Sequence, residues 1–372
     1  MTVPQPAKVG DRIKEIDTPA LLLDLEVLER NIVRMQKLAD AAGVALRPHA
    51  KSHKSADIAL KQIAAGAVGL CAQKVSEAAL LVANGVGDVL VSNQVVGARK
   101  IGQLASLATR ARIGVCVDDP GNVEQIAQAA RHFGGHIEML VEVDVGMGRC
   151  GVDPADAPGL CQKIIATEGV GFGGLQAYNG RAQHVRSHAD RGAAIEASAT
   201  AVRRVLSDLE ASGVACPRVT GAGTGTFEFE AASGLWNELQ CGSYVFMDAD
   251  YSRNLDERGT EIDTFGHSLF ILAGVLSIAQ PGRAVVDAGL KCLSVDSGLP
   301  VVSGLAGAVY AGASDEHGTL TTGDGNGPAL GDQVRLIPGH CDPTVNLHDW
   351  YVGVRGDTVE AVWPVTARGA MF

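Results

Sequence analysis

The apolar residues in the first two thirds of the chain alternate between a helical spacing and short continuous runs. From residue 26 to 42, Leu28, Ile32, Met35 and Leu38 recur at nearly the helical period, which predicts an amphipathic helix. The continuous runs, separated by further amphipathic stretches, are typical of buried strands. Eight such strands are predicted, at residues 45–50, 69–73, 88–93, 112–118, 137–145, 171–178, 217–221 and 238–246.

Eight strands separated by helices predict an α/β fold. Parallel strands with helical crossovers close naturally into a (β/α)8 TIM-type barrel. A doubly wound open sheet is the alternative that the same pattern leaves open. Barrel enzymes carry their chemistry on the loops that follow the strands, so candidate site residues are expected on those loops.

The pattern changes after about residue 262, where helical periodicity is nearly absent. Short β-type segments separated by Gly, Asp and Pro turns predict a second, mainly antiparallel β domain. These segments are 268–278, 283–287, 333–337 and 358–364. The apolar run at 20–24 is one strand more than a barrel needs, so it is expected to pair with the second domain.

These patterns predict two domains. The first is a barrel over residues 25–262, and the second is a β-strand domain formed by residues 1–24 plus 263–372. Within the second domain, the glycine-rich segment 323–331 is predicted to be a surface loop.

Composition and charge narrow the class of protein. The 372 residues are 46% hydrophobic, which is enough for a large core, and the net charge of −11 argues against a nucleic-acid partner. No apolar run approaches the roughly 18 residues of a membrane span, and the N-terminus lacks a signal-peptide pattern. The eight cysteines show no paired C-x-x-C spacing, so reduced thiols and a cytoplasmic location are expected.

The first predicted barrel strand leads into a segment with two lysines and two histidines. The sequence there reads Leu46-Arg47-Pro48-His49-Ala50-Lys51-Ser52-His53-Lys54. Lys51 directly follows the strand, and partial desolvation there would lower the pKa of its amine and make it available for a Schiff base. A solvated basic surface loop is the plainer alternative.

Two glycine-rich segments fall where barrels commonly bind phosphate. Gly221 to Gly225 follows the seventh predicted strand, and Cys241 to Tyr244 lies in the eighth. Glycine lets several backbone N–H groups approach a phosphate, and this fold often binds phosphate beside strands seven and eight. Ordinary tight turns use the same glycine spacing, so it is the position in the strand count that favours a phosphate site.

Three further residues are candidates for metal binding and acid–base chemistry. His340 and Asp342 would point to one face of an extended segment, and a nitrogen and an oxygen ligand suit Mn²⁺, Mg²⁺ or Co²⁺. A simple hydrogen bond in the turn before Pro343 explains the same pair without a metal. His184, on the loop after the sixth strand, is a candidate base, although a lone loop histidine is more often a surface residue.

Ten short motifs follow one another along nearly the whole chain. They are Asp17-Thr18-Pro19-Ala20-Leu21, Arg47-Pro48-His49-Ala50-Lys51, Gln73-Lys74-Val75-Ser76-Glu77-Ala78, Gly148-Arg149-Cys150-Gly151-Val152, Leu175-Gln176-Ala177-Tyr178, Gly223-Thr224-Gly225, Gly242-Ser243-Tyr244, Val286-Asp287-Ala288-Gly289-Leu290-Lys291, Asp315-Glu316-His317-Gly318 and His340-Cys341-Asp342-Pro343-Thr344. In this order they resemble the D-threonine aldolase and D-3-hydroxyaspartate aldolase family. That family lies within the alanine-racemase-like (fold-type III) group of pyridoxal phosphate enzymes.

The resemblance implies how the cofactor would be bound. Lys51 would hold pyridoxal phosphate as a Schiff base, and Lys54 would be only a neighbour. Gln73, Arg149 and Tyr178 would also bind the cofactor, the last two on the side of its pyridine ring. The residues implied for the cofactor phosphate are Gly223, Thr224, Gly225, Gly242, Ser243 and Tyr244.

The resemblance also implies a reaction, the metal-assisted aldol cleavage of a small-molecule D-3-hydroxy-amino acid of the D-threonine type. His340 and Asp342 would bind the divalent metal, and the metal would bind the substrate's β-hydroxyl. His184 would remove the hydroxyl proton, the Cα–Cβ bond would break, and an aldehyde and glycine would result. The chain would then be a carbon–carbon lyase, and a homodimer is expected.

Three alternative functions are left open. A D-3-hydroxyaspartate aldolase would release glyoxylate, and the segments 237–244 and 348–355 look at least as much like those enzymes. D-serine and D-3-hydroxyaspartate dehydratases share the barrel but place a cysteine where this chain has Asp342. Non-enzymatic pyridoxal phosphate carrier proteins lack the second β domain that is predicted here.

Overall fold

The chain forms two sheets in a computed structural model that describes residues 4–323 and 327–372. Residues 324–326, inside the loop predicted at 323–331, lie outside the described residues. The strands are β1 (Ala20–Asp24), β2 (Ala45–Leu46), β3 (Leu70–Ala72), β4 (Asp88–Gln94), β5 (Arg112–Val117), β6 (Ile137–Glu142), β7 (Val170–Ala177), β8 (Val219–Gly221), β9 (Glu238–Leu239), β10 (Leu269–Gln280), β11 (Arg283–Val286), β12 (Val301–Ser303), β13 (Val309–Ala313), β14 (Gly318–Thr321), β15 (Gln333–Ile337), β16 (Trp350–Arg355) and β17 (Thr358–Pro364). The helices are α1 (Leu25–Ala42), α2 (Ala56–Ala64), α3 (Val75–Ala83), α4 (Ala98–Leu107), α5 (Pro120–Phe133), α6 (Ala157–Ile165), α7 (His188–Ala211), α8 (Phe227–Ala232) and α9 (Cys341–Val345).

Within the described residues, the first sheet contains eight parallel strands in the order β2-β9-β8-β7-β6-β5-β4-β3. Its two edge strands meet through a parallel bridge between His49 and Cys71, and the Ala50 amide donates to the Cys71 carbonyl at 2.8 Å. The sheet therefore closes on itself, with helices between its strands. The prediction of a (β/α)8 barrel is confirmed, and the open doubly wound sheet is excluded.

Helix α1 shows how the sequence pattern places a helix against the barrel. The Asp24 side chain accepts a hydrogen bond from the Val27 amide at 3.0 Å and so caps the first turn. Leu28, Ile32 and Met35 lie on one face of the helix and are buried. That face belongs to the apolar cluster between the barrel and the second sheet.

The N-terminal end of the barrel is closed by alternating charges. Three arginines and three carboxylates contact one another in a closed ring at distances of 2.5–3.7 Å. In ring order they are Arg47, Asp88, Arg112, Glu138, Arg218 and Glu238. Each guanidinium contacts two carboxylates, so the buried Arg47 is paired as a buried charge requires. The open end of the barrel is therefore the one where the strands have their C-terminal ends.

The second sheet is mainly antiparallel and includes the ninth strand predicted at 20–24. The described strands run in the order β13-β14-β11-β10-β1-β16-β17, and β15 pairs with both β10 and β12. β1 pairs antiparallel with β10 and parallel with β16. A strand from the beginning of the chain thus lies between two strands from the C-terminal part. The exact domain bounds of 25–262 and 1–24 plus 263–372 stay a prediction.

Two local predictions of extended structure are wrong. β9 covers only Glu238–Leu239 rather than 238–246, because the backbone leaves the extended conformation at Gly242 and a short 3-10 turn follows over Ser243–Val245. Residues 340–342 are not extended throughout, because α9 begins at Cys341. Pro343 fits the first turn of that helix. Backbone N–H groups in a first turn have no acceptor within the helix, so a proline there costs no hydrogen bond.

An apolar cluster joins the two sheets and holds them together. It contains Leu239 and Phe246 on the barrel side, and Ile271 and Val345 on the side of the second sheet. The rings of Phe246 and Tyr351 lie 6.0 Å apart within it. Since packed interiors allow little movement, this cluster holds helix α9, through Val345, against the C-terminal end of the barrel.

Two findings bear on the location predicted from composition. No helix in the described ranges 4–323 and 327–372 is long and apolar enough to cross a membrane. All eight cysteines are among the described residues, and all of them are free. The cytoplasmic location itself stays a prediction.

Candidate active site

The C-terminal ends of the barrel strands surround a cavity of about 220 Å³. Nine of the residues selected from the sequence line it. They are Lys51, Gln73, Arg149, Tyr178, His184, Gly223, Thr224, Gly242 and Ser243. Gly225, Tyr244, His340 and Asp342 are not in the lining, although Asp342 reaches Lys51.

Lys51 follows β2 and lines the cavity, with 40% of its side-chain surface exposed. Its Nζ donates a hydrogen bond to Asp342 Oδ2. Burial lowers the pKa of the Lys51 ammonium, but Asp342, Tyr178 and Glu77 together outweigh it, so the net shift is upward. Burial likewise raises the pKa of Asp342, but Lys51, His340 and His49 together outweigh it and bring that pKa to about 2. The predicted lowering of the lysine pKa is therefore wrong, because it did not include this carboxylate.

Lys54 is held in a separate, buried contact. Its ammonium binds Glu77 Oε1. The other oxygen of Glu77 accepts hydrogen bonds from the amides of Gln73, at 2.8 Å, and Lys74, at 3.1 Å. Lys54 is thereby tied to the beginning of helix α3, and Lys51 is the lysine that lines the cavity.

The backbone at Gly223 and Gly242 has no room for a side chain. A Cβ atom at Gly223 would lie 2.4 Å from Gln183 Oε1, and one at Gly242 would lie 2.5 Å from Ser52 Oγ. The hydroxyls of Thr224 and Ser52 are buried without a hydrogen-bond partner in the described part of the chain, and both residues line the cavity. Unpartnered hydroxyls beside closely packed glycine backbone suit the oxygens of a phosphate group, so these residues fit pyridoxal phosphate.

Two residues of the predicted phosphate motifs lie behind the cavity wall. The Gly225 amide donates a hydrogen bond to Gln183 Oε1 at 3.0 Å. Tyr244 is fully buried, its hydroxyl accepts a hydrogen bond from Gln62 at 3.0 Å, and its ring packs against Phe265 at 5.5 Å. In this structure the Tyr244 side chain is part of the core and does not reach the cavity.

Arg149 and Tyr178 lie side by side in the cavity wall. The Arg149 guanidinium is 5.9 Å from the centre of the Tyr178 ring and 3.9 Å from Glu142. The loop that carries Arg149 is shaped by Asp144, whose carboxylate accepts a hydrogen bond from the Gly146 amide at 3.0 Å. A cation and an aromatic ring thus face one part of the cavity, and their role at the pyridine ring stays a prediction.

His184 lies on the loop after β7 and lines the cavity. Its Nδ1 is 2.5 Å from Asp250 Oδ2, and Asp250 also binds the Arg186 guanidinium. The His184 ring packs near Tyr251, with 5.3 Å between the ring centres. Because a carboxylate opposite Nδ1 favours the tautomer that carries its proton there, Nε2 is left as the basic nitrogen.

His340 and Asp342 lie where helix α9 begins. His340 Nδ1 is 2.8 Å from Asp296 Oδ2, and its Nε2 has no hydrogen-bond partner among the described residues. Asp342 Oδ1 is buried and equally unpartnered in the ranges described. Cys341 is buried, and its thiol donates to the Met247 carbonyl at 3.4 Å.

The open imidazole nitrogen and carboxylate oxygen fit a two-ligand site for a divalent metal. Among the residues that the structure describes, no group of three or more His, Cys, Asp or Glu side chains could hold a metal. Water and substrate would therefore have to supply the remaining ligands of such a metal.

Sequence reasoning missed several residues of the site because their partners are remote in the chain. Asp250 lies 66 positions from His184. His49 Nε2 is 3.0 Å from the Ser92 hydroxyl, and burial together with the nearby Lys51 lowers the pKa of His49 to about 3. No local pattern indicates such pairs, although His49 does belong to the motif that includes Lys51.

Two protein-family models match the chain. The alanine racemase N-terminal domain matches residues 23–250, which include the whole parallel barrel. The putative serine dehydratase domain matches residues 268–354, which include most strands of the second sheet. The fold and the cavity thus define an alanine-racemase-like barrel with a serine-dehydratase-like second sheet.

Three proteins of known function or structure are similar over nearly the full length. The 3-hydroxy-D-aspartate aldolase of Paracoccus denitrificans (strain Pd 1222) is 49% identical over 98% of this chain and 95% of that protein. The D-threonine aldolase of Arthrobacter sp is 47% identical over 99% of this chain and 97% of that protein. The crystal structure of D-threonine aldolase from Filomicrobium marinum has a TM-score of 0.96 at 47% identity, covering 99% of this chain and 100% of that one.

The chain belongs to the family of D-threonine aldolases and 3-hydroxy-D-aspartate aldolases within the alanine-racemase-like pyridoxal phosphate enzymes. The predictions of the family, of pyridoxal phosphate as its cofactor and of a carbon–carbon lyase are confirmed. The roles of the individual site residues stay predictions.

Proposed function

We propose that this protein cleaves D-3-hydroxy-amino acids of the D-threonine type to glycine and an aldehyde, using pyridoxal phosphate and a divalent metal. The observation that carries the proposal is the meeting of three kinds of group at one cavity. Lys51 and His184 line the cavity. Asp342, which with His340 forms the candidate metal-binding pair, contacts Lys51. This cleavage needs three kinds of group: an amine that binds the cofactor, a base, and a pair of metal ligands.

Residues of the barrel would hold the cofactor at both of its ends. Lys51 offers the amine that would bind its aldehyde carbon. Thr224 and Ser52 offer unpartnered hydroxyls to the phosphate, while Arg149 and Tyr178 would face the ring. When bound, pyridoxal phosphate supplies an electron sink for the electron pair that the broken Cα–Cβ bond leaves on Cα.

His184 would accept the proton of the substrate's β-hydroxyl. Asp250 holds Nδ1, so Nε2 is the nitrogen that would take the proton. As the proton leaves, the hydroxyl oxygen forms the carbonyl of the aldehyde product, and the Cα–Cβ bond breaks. Cα then takes up a proton to give glycine. Tyr251, beside the imidazole, restricts its rotation and supports this orientation.

His340 and Asp342 would hold a divalent metal such as Mn²⁺, Mg²⁺ or Co²⁺. Asp296 binds Nδ1 of His340, so Nε2 is the nitrogen that would bind the metal. Lys51 occupies only one oxygen of Asp342, and the other is open. A metal bound there would supply a Lewis acid for the cleavage.

A second substrate class is favoured by a specific observation. The 49% identical relative from Paracoccus denitrificans is a 3-hydroxy-D-aspartate aldolase, while the Arthrobacter D-threonine aldolase is 47% identical. D-3-hydroxyaspartate, cleaved to glycine and glyoxylate, is therefore the second candidate substrate. Asp342 disfavours a dehydratase, because it offers an oxygen ligand where that activity is expected to use a thiolate. We also propose that the protein is a homodimer and is located in the cytoplasm.

An aldehyde-release assay tests this function. Purified protein loaded with pyridoxal phosphate would be given D-threonine, D-allo-threonine, D-phenylserine and both D-3-hydroxyaspartates, with the L-isomers as controls. We expect equal amounts of aldehyde and glycine, lost with a chelator and restored by Mn²⁺. Release of ammonia and a keto acid instead would identify a dehydratase, and inactivity towards every substrate would refute the proposal.

A further inference from the structure

Gln183 is a fully buried residue that directly precedes His184 in the chain. Its Oε1 accepts a hydrogen bond from the Gly225 amide at 3.0 Å, and its Nε2 donates to Thr226 Oγ1 at 2.7 Å. The Thr226 hydroxyl donates in turn to Glu230 at 2.8 Å. The Gln183 side chain therefore binds the loop 223–225 and the adjacent Thr226, and Gln183 does not line the cavity.

Gln183 also packs tightly against the loop 223–225. A Cβ atom at Gly223 would lie 2.4 Å from Gln183 Oε1, and one at Gly225 would lie 2.4 Å from the Gln183 carbonyl oxygen. Thr224, between these glycines, carries a buried hydroxyl that has no hydrogen-bond partner in the described part of the chain. The position of that hydroxyl thus depends on a loop that rests on Gln183.

A second set of contacts joins Gln183 to the base. The Asn254 side-chain amide donates to the Gln183 carbonyl at 2.9 Å, and Asn254 Oδ1 accepts a hydrogen bond from Arg186 at 2.8 Å. Arg186 binds Asp250, and Asp250 binds Nδ1 of His184. The loop 223–225 and the histidine are therefore joined by one continuous hydrogen-bond network.

We propose that Gln183 is a positioning residue that sets the phosphate-binding shape of the loop 223–225 and ties it to His184. This inference rests on the proposed cofactor site. Without the side-chain oxygen of Gln183, the Gly225 N–H would be buried and unpaired, so the loop would shift to find another partner. The shift would displace the Thr224 hydroxyl from the phosphate but would leave Lys51 and the ring-side residues in place.

The test compares two cofactor forms that differ only in the phosphate. Dissociation constants of the apoprotein for pyridoxal phosphate and for pyridoxal would be measured in the wild type and in Gln183→Met, which keeps the volume but removes the amide. We expect pyridoxal phosphate to bind about tenfold more weakly, as one lost buried hydrogen bond implies, while pyridoxal changes less than about twofold. Gln36→Met is the matched control, because Gln36 is a buried glutamine on α1 that binds Asp40 at 2.8 Å, and both constants should be unchanged there.

A Thr226→Val variant repeats the test if Gln183→Met does not fold, since it removes only the hydroxyl that Gln183 binds. A loss of about threefold confined to pyridoxal phosphate is expected. Equal weakening of both ligands, or no weakening in a folded variant, would overturn the role of Gln183. Equal affinity of the wild type for both ligands would instead refute the phosphate site, and with it the proposed cofactor geometry.

Discussion

Asp250→Asn should disable His184 while leaving its ring in place. Asp250 Oδ2 binds His184 Nδ1, and Oδ1 binds Arg186. An asparagine can satisfy the guanidinium only with its oxygen, which turns its NH2 group towards Nδ1. Nδ1 must then accept a hydrogen bond, so the histidine proton moves to Nε2 and the basic nitrogen is lost.

The magnitude follows from the role of the base. A positioned general base contributes roughly 10²–10⁴ in rate, and each factor of ten is about 1.36 kcal/mol, so the barrier should rise by about 2.7–5.4 kcal/mol. His184→Ala should lose a similar factor. The double variant should lose little more than either single one, because the two residues act as a unit.

The assay is aldehyde release under saturating pyridoxal phosphate and Mn²⁺, with cofactor absorbance measured in parallel. Absorbance should be unchanged, because neither substitution touches Lys51 or the hydroxyls of Thr224 and Ser52. Asp256→Asn is the matched control, since the Asp256 carboxylate accepts hydrogen bonds only from Arg258 and Thr260 in its own turn, and its rate should equal the wild type. Near-normal turnover in Asp250→Asn, or rate losses that multiply in the double variant, would refute the reasoning.

Two further predictions concern the lysine and the metal. Borohydride reduction of the cofactor-loaded protein, followed by peptide mapping, should place the label on Lys51, because Lys51 lines the cavity whereas Lys54 is buried against Glu77. A label on Lys54 would overturn this assignment. His340→Ala or Asp342→Ala should abolish metal-dependent turnover yet keep the cofactor absorbance, and either variant with full activity after chelator treatment would show that the metal pair is misassigned.

The sequence by itself determined the barrel and the order of the residues along it. Apolar runs and helical spacing are local signals, and each of the eight predicted strands overlaps an observed one. Position in that strand count also located Lys51, Gly223 and His184, because residues that follow parallel strands must meet at one end of a barrel. The run at 20–24 was recognisable as an extra strand, although its partners were not.

Only the tertiary structure decided which side chains meet and in what charge state. Lys51 and Asp342 are 291 positions apart, and their contact turns the expected fall of the lysine pKa into a rise. Asp250, which orients His184, and Gln183, which supports the glycine loop, carry no signal of their own. Hydrogen bonding and burial depend on distances between remote segments, whereas a sequence pattern reports only the preferences of neighbouring residues. For this reason the prediction of an extended conformation for residues 340–342 was wrong, since helix α9 begins at Cys341.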